Sequence, residues 1–192
     1  MSDWEIDRQA QRQLLPIRLS PIGIDDWSAV RYVHRIAFER LVSPYLDPNE
    51  IELFQARISG PEYTEDLMRE NLTGAWLDTE LAGTAGWQPA DDHGTTARIT
   101  SVFVLPVFTG LGIGAQLLAD AEARAEMAGF TSFSVRATPN AVGFFGALGY
   151  DISSHGISHV LANQDVPITF MRKSNAGPAV AEPGPPVIPT QD

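Results

Sequence analysis

The sequence contains no cysteine among its 192 residues. This absence excludes disulfide bonds and chemistry that depends on a thiolate. No apolar run approaches the about 20 residues that a membrane-spanning helix requires. The N-terminal segment MSDWEIDRQAQRQ is polar and acidic, which is not the pattern of a secretory signal. We therefore expect a cytoplasmic protein without a membrane partner.

Basic residues are also scarce. The chain has 13 Lys and Arg against 24 Asp and Glu, which gives a formal net charge of −11. Binding to nucleic acid relies on clustered Lys and Arg, so we expect no nucleic-acid partner. We also expect no metal site, because the residues of the second half that could ligate a metal are scattered: Asp151, His155, His159 and Asp165.

Hydrophobic residues make up 44% of the chain, which is enough for one globular domain. We predict that residues 1–15 form a polar leader and that residues 16–173 form the domain. The segment 174–192 is predicted to be a disordered tail, because Pro, Ala and Gly dominate it and bulky apolar side chains are nearly absent.

The apolar periodicity predicts an α/β fold with a mixed sheet, of the α+β kind. A first strand at residues 16–20 is followed by a helix that Asp25 caps and by two helices at 48–58 and 61–71. Strands are predicted at 74–78, 83–88 and 96–105, with the first two joined by a turn at Thr79 and Glu80. A helix at 112–128, a strand at 131–136, a helix at 139–148 and two strands at 150–159 and 168–172 complete the pattern.

A glycine-rich segment, VLPVFTGLGIGAQLL at residues 104–118, joins a predicted strand to a predicted helix. The first backbone N–H groups of a helix have no partner within the helix, and the helix dipole adds positive charge there. Glycines at 110, 112 and 114 would let a phosphate approach those donors closely. The alternative is a tight turn that needs positive φ and binds no ligand.

Two blocks together resemble the GCN5-related N-acetyltransferases (GNAT). The first is TARITSVFVLPVFTGLGIG at residues 96–114, where the family has a strand ending in V-x-P and an Arg/Gln-x-x-Gly-x-Gly/Ala loop. The second is NAVGFFGALGY at residues 140–150, which is similar to the family's Asn-Ala-x-x-Phe-Tyr-x-x-Leu-Gly-Phe. The resemblance covers about residues 16–173. It implies a mostly antiparallel central sheet with a splayed parallel pair, flanked by helices.

The resemblance also implies acetyl-CoA as cosubstrate and an amine as acceptor. The pantetheine arm would lie along Val102–Val104, and a backbone N–H near Val104 would polarise the thioester carbonyl. Glu39 and Tyr45 would either help to form the acceptor pocket or lie on the surface without a role in the reaction. A homodimer is compatible with the family. The residues that the resemblance assigns to the cofactor are Val102, Phe103, Val104, Thr109, Gly110, Leu111, Gly112, Ile113, Gly114, Ala115, Asn140 and Phe145.

The sequence departs from the family's pattern at positions that matter for chemistry. Thr109 replaces the loop's Arg or Gln, so binding would rest on backbone donors, helped by Arg136 or another distant cation. Phe145 replaces the Tyr that protonates the leaving thiolate, and its simplest role is core packing. At the strand positions where relatives carry a Glu as general base, the sequence has Arg98, Thr100 and Ser101, none of which is a good base.

Several other side chains have simpler structural explanations. We interpret His34 as a partly exposed structural histidine rather than a residue of the acceptor cleft, and Trp87 as a residue of the core. We leave Gln88 open and attribute His93 to a polar turn.

Three functions remain open. The leading hypothesis is transfer of an acetyl group from acetyl-CoA to a primary amine by direct attack, which agrees with the absence of cysteine. The alternative is a catalytically weak or inactive acyl-CoA-binding regulatory or scaffold protein on the same fold. An interaction domain that has lost CoA agrees least with the intact glycine loop. The acceptor stays open among small amines, amino acids, antibiotics and protein N-termini.

Overall fold

The computed structural model describes residues 16–92, 94–161 and 164–174, without the side chains of residues 158–161 and 164–166. The predicted leader, His93 and residues 175–192 of the predicted tail lie outside this range. Ser174 is the last residue of a strand and pairs with Ser132, so the sheet extends one residue further than the predicted domain.

Over these described residues, the fold has seven strands and five α-helices. The strands are β1 Ile17–Pro21, β2 Thr73–Leu77, β3 Glu80–Pro89, β4 Thr96–Val104, β5 Ser132–Ala137, β6 Asp151–Leu161 and β7 Gln164–Ser174. The helices are α1 Trp27–Ala37, α2 Pro48–Ser59, α3 Pro61–Leu67, α4 Ile113–Met127 and α5 Val142–Ala147. Within the described ranges, no helix is long and apolar enough to cross a membrane.

The strands form one sheet in the order β1-β2-β3-β4-β5-β7-β6. Of the six neighbouring pairs among these strands, β4 and β5 pair in parallel and the other five are antiparallel. The structure therefore confirms the predicted mixed sheet with one parallel pair. The first hairpin turns one residue earlier than predicted, because Asp78 adopts a left-handed conformation with φ 54° and β3 already begins at Glu80.

Local sequence explains where α2 begins. At α2, the Asp47 side chain accepts hydrogen bonds from the N–H groups of Asn49 and Glu50. The Glu50 side chain in turn accepts from the Asp47 N–H, and Pro48 occupies the first helical position. This capping box satisfies N–H groups that a helix otherwise leaves unpaired.

Helices cover both faces of the sheet. On one side, which we call the α4 face, Leu117 and Ala121 of α4 pack with Ile99 of β4 and Phe133 of β5 in the main core. On the other side, the α1 face, Val30 and Val33 of α1 and Leu67 of α3 form a second cluster with residues of β3 and of the segment after β4. Alternation along a strand places Ala97 and Ile99 on the α4 face and Arg98 and Thr100 on the α1 face.

A buried chain of hydrogen bonds links α1 to β4 on the α1 face. The Thr84 hydroxyl donates to the Ser101 carbonyl at 2.7 Å, so the same oxygen must accept from His34 Nε2–H, also at 2.7 Å. His34 Nδ1 then accepts from the Tyr63 hydroxyl at 2.7 Å. This arrangement fixes the neutral tautomer of His34 and gives the side chain a structural role. The expected partial exposure of His34 was wrong, because the side chain is fully buried.

Protonation of His34 should oppose folding. Complete burial lowers the pKa of His34 to about 3, whereas an unfolded chain binds the proton near pH 6.5. The stability that neutral His34 contributes is therefore fully present above about pH 6.5 and is lost as the pH falls toward 3. From this group alone, we expect the free energy of unfolding to be about 1.4 kcal/mol lower near pH 5.5 than near pH 7.5. Urea unfolding at the two pH values measures the difference.

The variant His34→Gln serves as the comparison, because it removes the titrating group and should flatten the pH dependence by that amount. If the variant does not fold, the ring resonances of His34 in the wild type give the same information by NMR. A His34 ring that titrates with a pKa near 6.5 in the folded protein would contradict the assignment.

Candidate active site

A cleft opens where β4 and β5 separate. The two strands pair only from Thr96 with Ser132 to Arg98 with Ser134, and their ladder stops there. The space beyond has a volume of about 180 Å³. Its lining consists of Ile99, Thr100, Ser101, Val102, Phe103 and Val104 of β4, Val135, Arg136 and Ala137 of β5, and Ala37, Phe38, Leu41, Val42, Phe54, Thr138, Asn140, Ala141 and Phe145.

An irregularity in β4 accompanies this separation. Ser101 has φ 52°, which is uncommon for a residue other than glycine, and the register of β3 against β4 shifts between Thr84 and Gly86. The Thr84 hydroxyl holds the Ser101 carbonyl from the α1 face. Gly83 allows β3 and β4 to approach beyond the irregularity, because a Cβ at this position would lie 2.6 Å from the Phe103 carbonyl oxygen.

The end of β4 directs backbone N–H groups into the cleft. The N–H of Leu105 bonds to the Ala82 carbonyl on the β3 side. Because successive N–H groups of a strand point to opposite edges, the N–H of Val104 points toward the β5 side, where the ladder has ended. Val104 therefore presents a donor at the position that the sequence analysis predicted.

The glycine-rich segment forms a second pocket that continues from Val104. This loop pocket has a volume of about 440 Å³. Among the residues that the structure describes, no side chain caps α4, and the first bond within the helix runs from the Gln116 N–H to the Gly112 carbonyl. The N–H groups of residues 113–115 therefore have no partner within the helix. The residues around this pocket are Val104, Phe108, Thr109, Gly110, Gly112, Ile113, Gly114, Ala115, Phe144, Ala147 and Leu148.

The three glycines of this loop serve different purposes. Gly110 and Gly112 have φ of 79° and 81°, and a Cβ added at either position would meet nothing within 4 Å. Gly114 has an ordinary φ, but a Cβ there would lie 3.3 Å from the Phe144 ring. Backbone conformation thus explains the first two glycines and close packing explains the third. The open space above Gly110 and Gly112 can admit a phosphate.

The expected help from Arg136 is not supported by the structure. Arg136 extends from β5 on the α1 face and lines the cleft rather than the loop pocket. Arg124 is held near the far end of α4 by Thr73 and Asp120. Among the described residues, none that lines the loop pocket is basic, so anion binding there would rely on the backbone donors.

Most of the predicted cofactor residues line these two pockets. The predicted residues Glu39, Tyr45 and Leu111 line neither of them. Glu39 lies in a helical turn, Phe38–Val42, that directly follows α1, and its side chain pairs with Arg35 of α1 at 3.2 Å on the protein surface. The side chain of Tyr45 is largely exposed. Neither residue lines the cleft. Leu111 packs against the main core and does not line the loop pocket.

The second block contributes two residues to the cleft. Asn140 lines it, and its side-chain oxygen accepts a hydrogen bond from the Thr138 hydroxyl at 2.8 Å. Phe145 also lines the cleft, but it is buried and its ring packs edge-on against Phe144 and Tyr150. The expected packing role of Phe145 is therefore present, together with one side that faces the cleft.

The sequence analysis missed one carboxylate, which does not line the cleft itself but contacts a residue that does. Glu70, which follows α3, accepts a hydrogen bond from the Thr100 hydroxyl at 2.8 Å. Gly86 makes room for it, because a Cβ at 86 would lie 2.9 Å from Glu70 Oε2 and 3.1 Å from Thr100 Oγ1. The strand thus lacks a Glu of its own, but a neighbouring segment supplies one.

The environment of Glu70 makes it a better base than an exposed carboxylate. Burial raises the pKa of Glu70, and hydrogen bonds from the hydroxyls of Ser101 and Thr100 partly oppose that rise. The carboxylate also lines a surface groove formed by residues 21–24, Trp27, Met68, Asn71, Leu72 and Arg124. Glu70 therefore connects Thr100, which lines the cleft, with a groove open to solvent.

Comparisons with known proteins agree with this geometry. A GCN5-related N-acetyltransferase from Rhodopseudomonas palustris superposes with a TM-score of 0.74 at 21% identity, covering 82% of this chain and 94% of that one. The PaiA N-acetyltransferase of Thermoplasma acidophilum, solved with coenzyme A, gives 0.66 at 18% identity over 83% and 99% of the two chains. The fold is therefore shared with these enzymes.

The comparison by sequence covers the second block and most of the sheet. A search of curated proteins finds no match to this sequence. The family model described as an acetyltransferase (GNAT) domain matches residues 42–173, which include most of the residues around the cleft, the glycine-rich loop and α5. The chain therefore belongs to the GNAT acetyltransferase family.

Proposed function

We propose that this protein transfers an acetyl group from acetyl-CoA to a primary amine by direct attack, without an acyl-enzyme. The observation that carries the proposal is the continuity of the two pockets at Val104, which lines both the loop pocket and the cleft. A pyrophosphate in the loop pocket and a thioester in the cleft would belong to one extended ligand. Acetyl-CoA supplies a thioester, which is already activated toward an amine.

The loop pocket fits a pyrophosphate on structural grounds. Its three N–H donors at residues 113–115 are uncapped, they lie at the positive end of the α4 dipole, and two left-handed glycines leave space above them. In the cleft, the Val104 N–H is placed to donate to a carbonyl oxygen.

A proton path leads away from the cleft on the α1 face. An attacking amine must lose a proton, and Thr100 is the hydroxyl that lines the cleft and already donates to Glu70. The Thr100 oxygen would take the proton from the amine as it passes its own proton to Glu70. Glu70 would then release the proton into the groove that it lines. After this release, Thr100 and Glu70 are again in the protonation states in which they began.

The absence of a Tyr at position 145 is compatible with turnover. Phe145 cannot donate a proton, so the sulfur would leave as a thiolate. A thiol such as that of cysteine has an ordinary pKa of about 8.5, so its thiolate is weakly basic and can leave without being protonated first. Solvent can protonate it after it departs.

Acyl-CoA binding without turnover is the second candidate, and it is favoured by Phe145 and by Thr109 at the start of the loop. Both candidate functions would bind CoA in the loop pocket, but only the enzyme would use Glu70 as a proton acceptor. Binding and turnover therefore have to be measured separately.

Replacing Gly112 should abolish CoA binding. The change Gly112→Glu places a negative side chain in the space above the uncapped N–H groups and strains a residue with φ 81°. Each donor lost to a charged group removes about 1.5–3 kcal/mol, so we expect affinity for CoA to fall by roughly a hundredfold or more. Isothermal titration calorimetry with CoA measures this loss.

Gly129→Glu is the matched control, since Gly129 also has positive φ and open space but lies beyond the far end of α4. It should introduce the same charge and similar strain while leaving CoA affinity near that of the wild type. Equal CoA binding by Gly112→Glu and the wild type would refute the loop assignment.

Replacing Glu70 should slow turnover without weakening CoA binding. Gln is isosteric with Glu and can still accept a hydrogen bond from Thr100, but it cannot take a proton. We expect Glu70→Gln to reduce kcat by about a hundredfold. Because burial raises the pKa of Glu70, the rate of the wild type should increase with pH above the ordinary Glu range, and Glu70→Gln should lose that rise. Release of free CoA thiol against pH provides the measurement.

The position of the relay can be tested at Thr100. Thr100→Val should reproduce the loss seen in Glu70→Gln, whereas Thr100→Ser should retain activity because it keeps the hydroxyl. Glu65→Gln, on the exposed side of α3, removes the same charge outside the cleft and should behave as the wild type. An unchanged pH profile in Glu70→Gln would exclude the proposed path.

A further inference from the structure

Three arginines converge on the α1 face beside the cleft. Arg98 of β4, Arg136 of β5 and Arg172 of β7 line a pocket of about 360 Å³, which we call the arginine pocket. Arg98 and Arg172 both lie opposite Ser134 in the strand register, and Phe170 lies opposite Arg136. The pocket thus crosses three adjacent strands of the sheet.

The charge in this pocket contrasts with that of the chain. Three of the 13 Lys and Arg residues line it in a protein of net charge −11. Among its described lining residues, Asp91 supplies the one carboxylate. Asp151 lies opposite Arg172 in the β6–β7 register but does not line the pocket. The described lining therefore carries a positive balance.

Two of the arginines, Arg98 and Arg136, repel each other in the protein alone. Partial burial and the nearby positive charge of Arg136 lower the pKa of Arg98. Arg98 donates to the Ala90 carbonyl at 3.2 Å, and the Arg136 guanidinium lies 6.0 Å from the centre of the Phe170 ring. These contacts position the two guanidinium groups but do not neutralise them. A bound anion would relieve this repulsion.

The arginine pocket adjoins the cleft and is separate from the loop pocket. Val135 and Arg136 line both the cleft and the arginine pocket. Arg98 and Thr100 lie on the same face of β4, and two residues along a strand span about 7 Å. Arg98 and Val104 are six positions apart, roughly 20 Å along a strand, so the arginine pocket lies at the other end of the cleft from the glycine-rich loop.

We propose that the arginine pocket binds an anionic group of the acceptor, either a carboxylate or a phosphate, and so selects small amines that carry a negative charge. This inference rests on the proposed acetyltransferase function and specifies its substrate class. With the amine at Thr100, the anionic group would lie about 7 Å away, which is the distance between the two positions on β4. Guanidinium groups bind carboxylate and phosphate through paired, charge-assisted hydrogen bonds.

Matched pairs of amines test the proposal by turnover. The carboxylate pair is 4-aminobutyrate and 4-aminobutyramide, and the phosphate pair is O-phosphoethanolamine and ethanolamine. At saturating acetyl-CoA and constant ionic strength, we expect at least one anionic amine to exceed its neutral partner by about tenfold or more in kcat/KM, mainly through a lower KM. The pair that shows the larger ratio identifies the anion.

The double variant Arg136→Gln/Arg172→Gln should reduce that ratio to near one, since both side chains are exposed and their replacement should not disturb the core. Arg18→Gln, on β1 at the opposite edge of the sheet, removes an equivalent charge and should keep the ratio of the wild type. Ratios near one for both pairs in the wild type, or a ratio that survives in the double variant, would overturn the proposal.

A binding measurement separates this proposal from the proposed function. Calorimetric titration of O-phosphoethanolamine and 4-aminobutyrate into the protein with CoA present requires no turnover. Binding that is lost in the double variant, in a wild type that acetylates none of the four amines, would support the pocket and contradict the enzymatic function. Turnover of all four amines without discrimination would support the enzyme and refute the pocket.

Discussion

The separation of β4 from β5 beyond Arg98 and Ser134 is the constraint on which the rest of the site depends. A parallel pair that continued to its end would use the backbone donors of β4 within the sheet and leave no space between the strands. The pair instead stops after three residues of each strand, and the N–H of Val104 is directed into the resulting cleft. The sheet supplies both the opening and one of its hydrogen-bond donors.

The separation is supported by polar groups on the α1 face. Thr84 holds the carbonyl of Ser101, His34 donates to Thr84, and Tyr63 donates to His34. Each hydrogen bond in this chain has a defined direction, because the Thr84 proton is committed to a carbonyl. The neutral state of His34 is therefore a requirement of the local geometry as well as of burial.

Features that depend on neighbouring residues could be predicted from the sequence. The loop at residues 109–115 was located because positive φ and uncapped N–H groups are local properties that glycine spacing reveals. The mixed sheet followed from the order of the elements together with the family resemblance, and strand boundaries differed by a few residues. Strand β7 begins earlier than predicted. Its first residues pair with β6 through the backbone, and the apolar pattern did not reveal them because few of their side chains are bulky and apolar.

The part of the site that depends on distant contacts could not be predicted. Glu70 and Thr100 are thirty residues apart in the sequence. The one sequence feature that relates to their contact is Gly86, a glycine in a buried strand, and a glycine alone does not identify the two partners. The three arginines come from three strands separated by two helices, so nothing local marks them as a group. Conversely, Glu39 looked suitable by position, but an intrahelical ion pair with Arg35 holds it on the surface.

The two regions suited to anions differ in how they are built, and this difference bears on specificity. The loop pocket offers backbone N–H groups, whose positions are fixed by α4 and whose partial charge cannot be lost by side-chain motion. The arginine pocket offers long side chains with full charges, two of them exposed, which can adapt to anions of different size. A rigid site suits a constant ligand such as the pyrophosphate of CoA, and an adaptable site suits a variable acceptor. Because the two pockets lie at opposite ends of the cleft, ligands held in them would direct their reactive groups toward the segment between Thr100 and Val104.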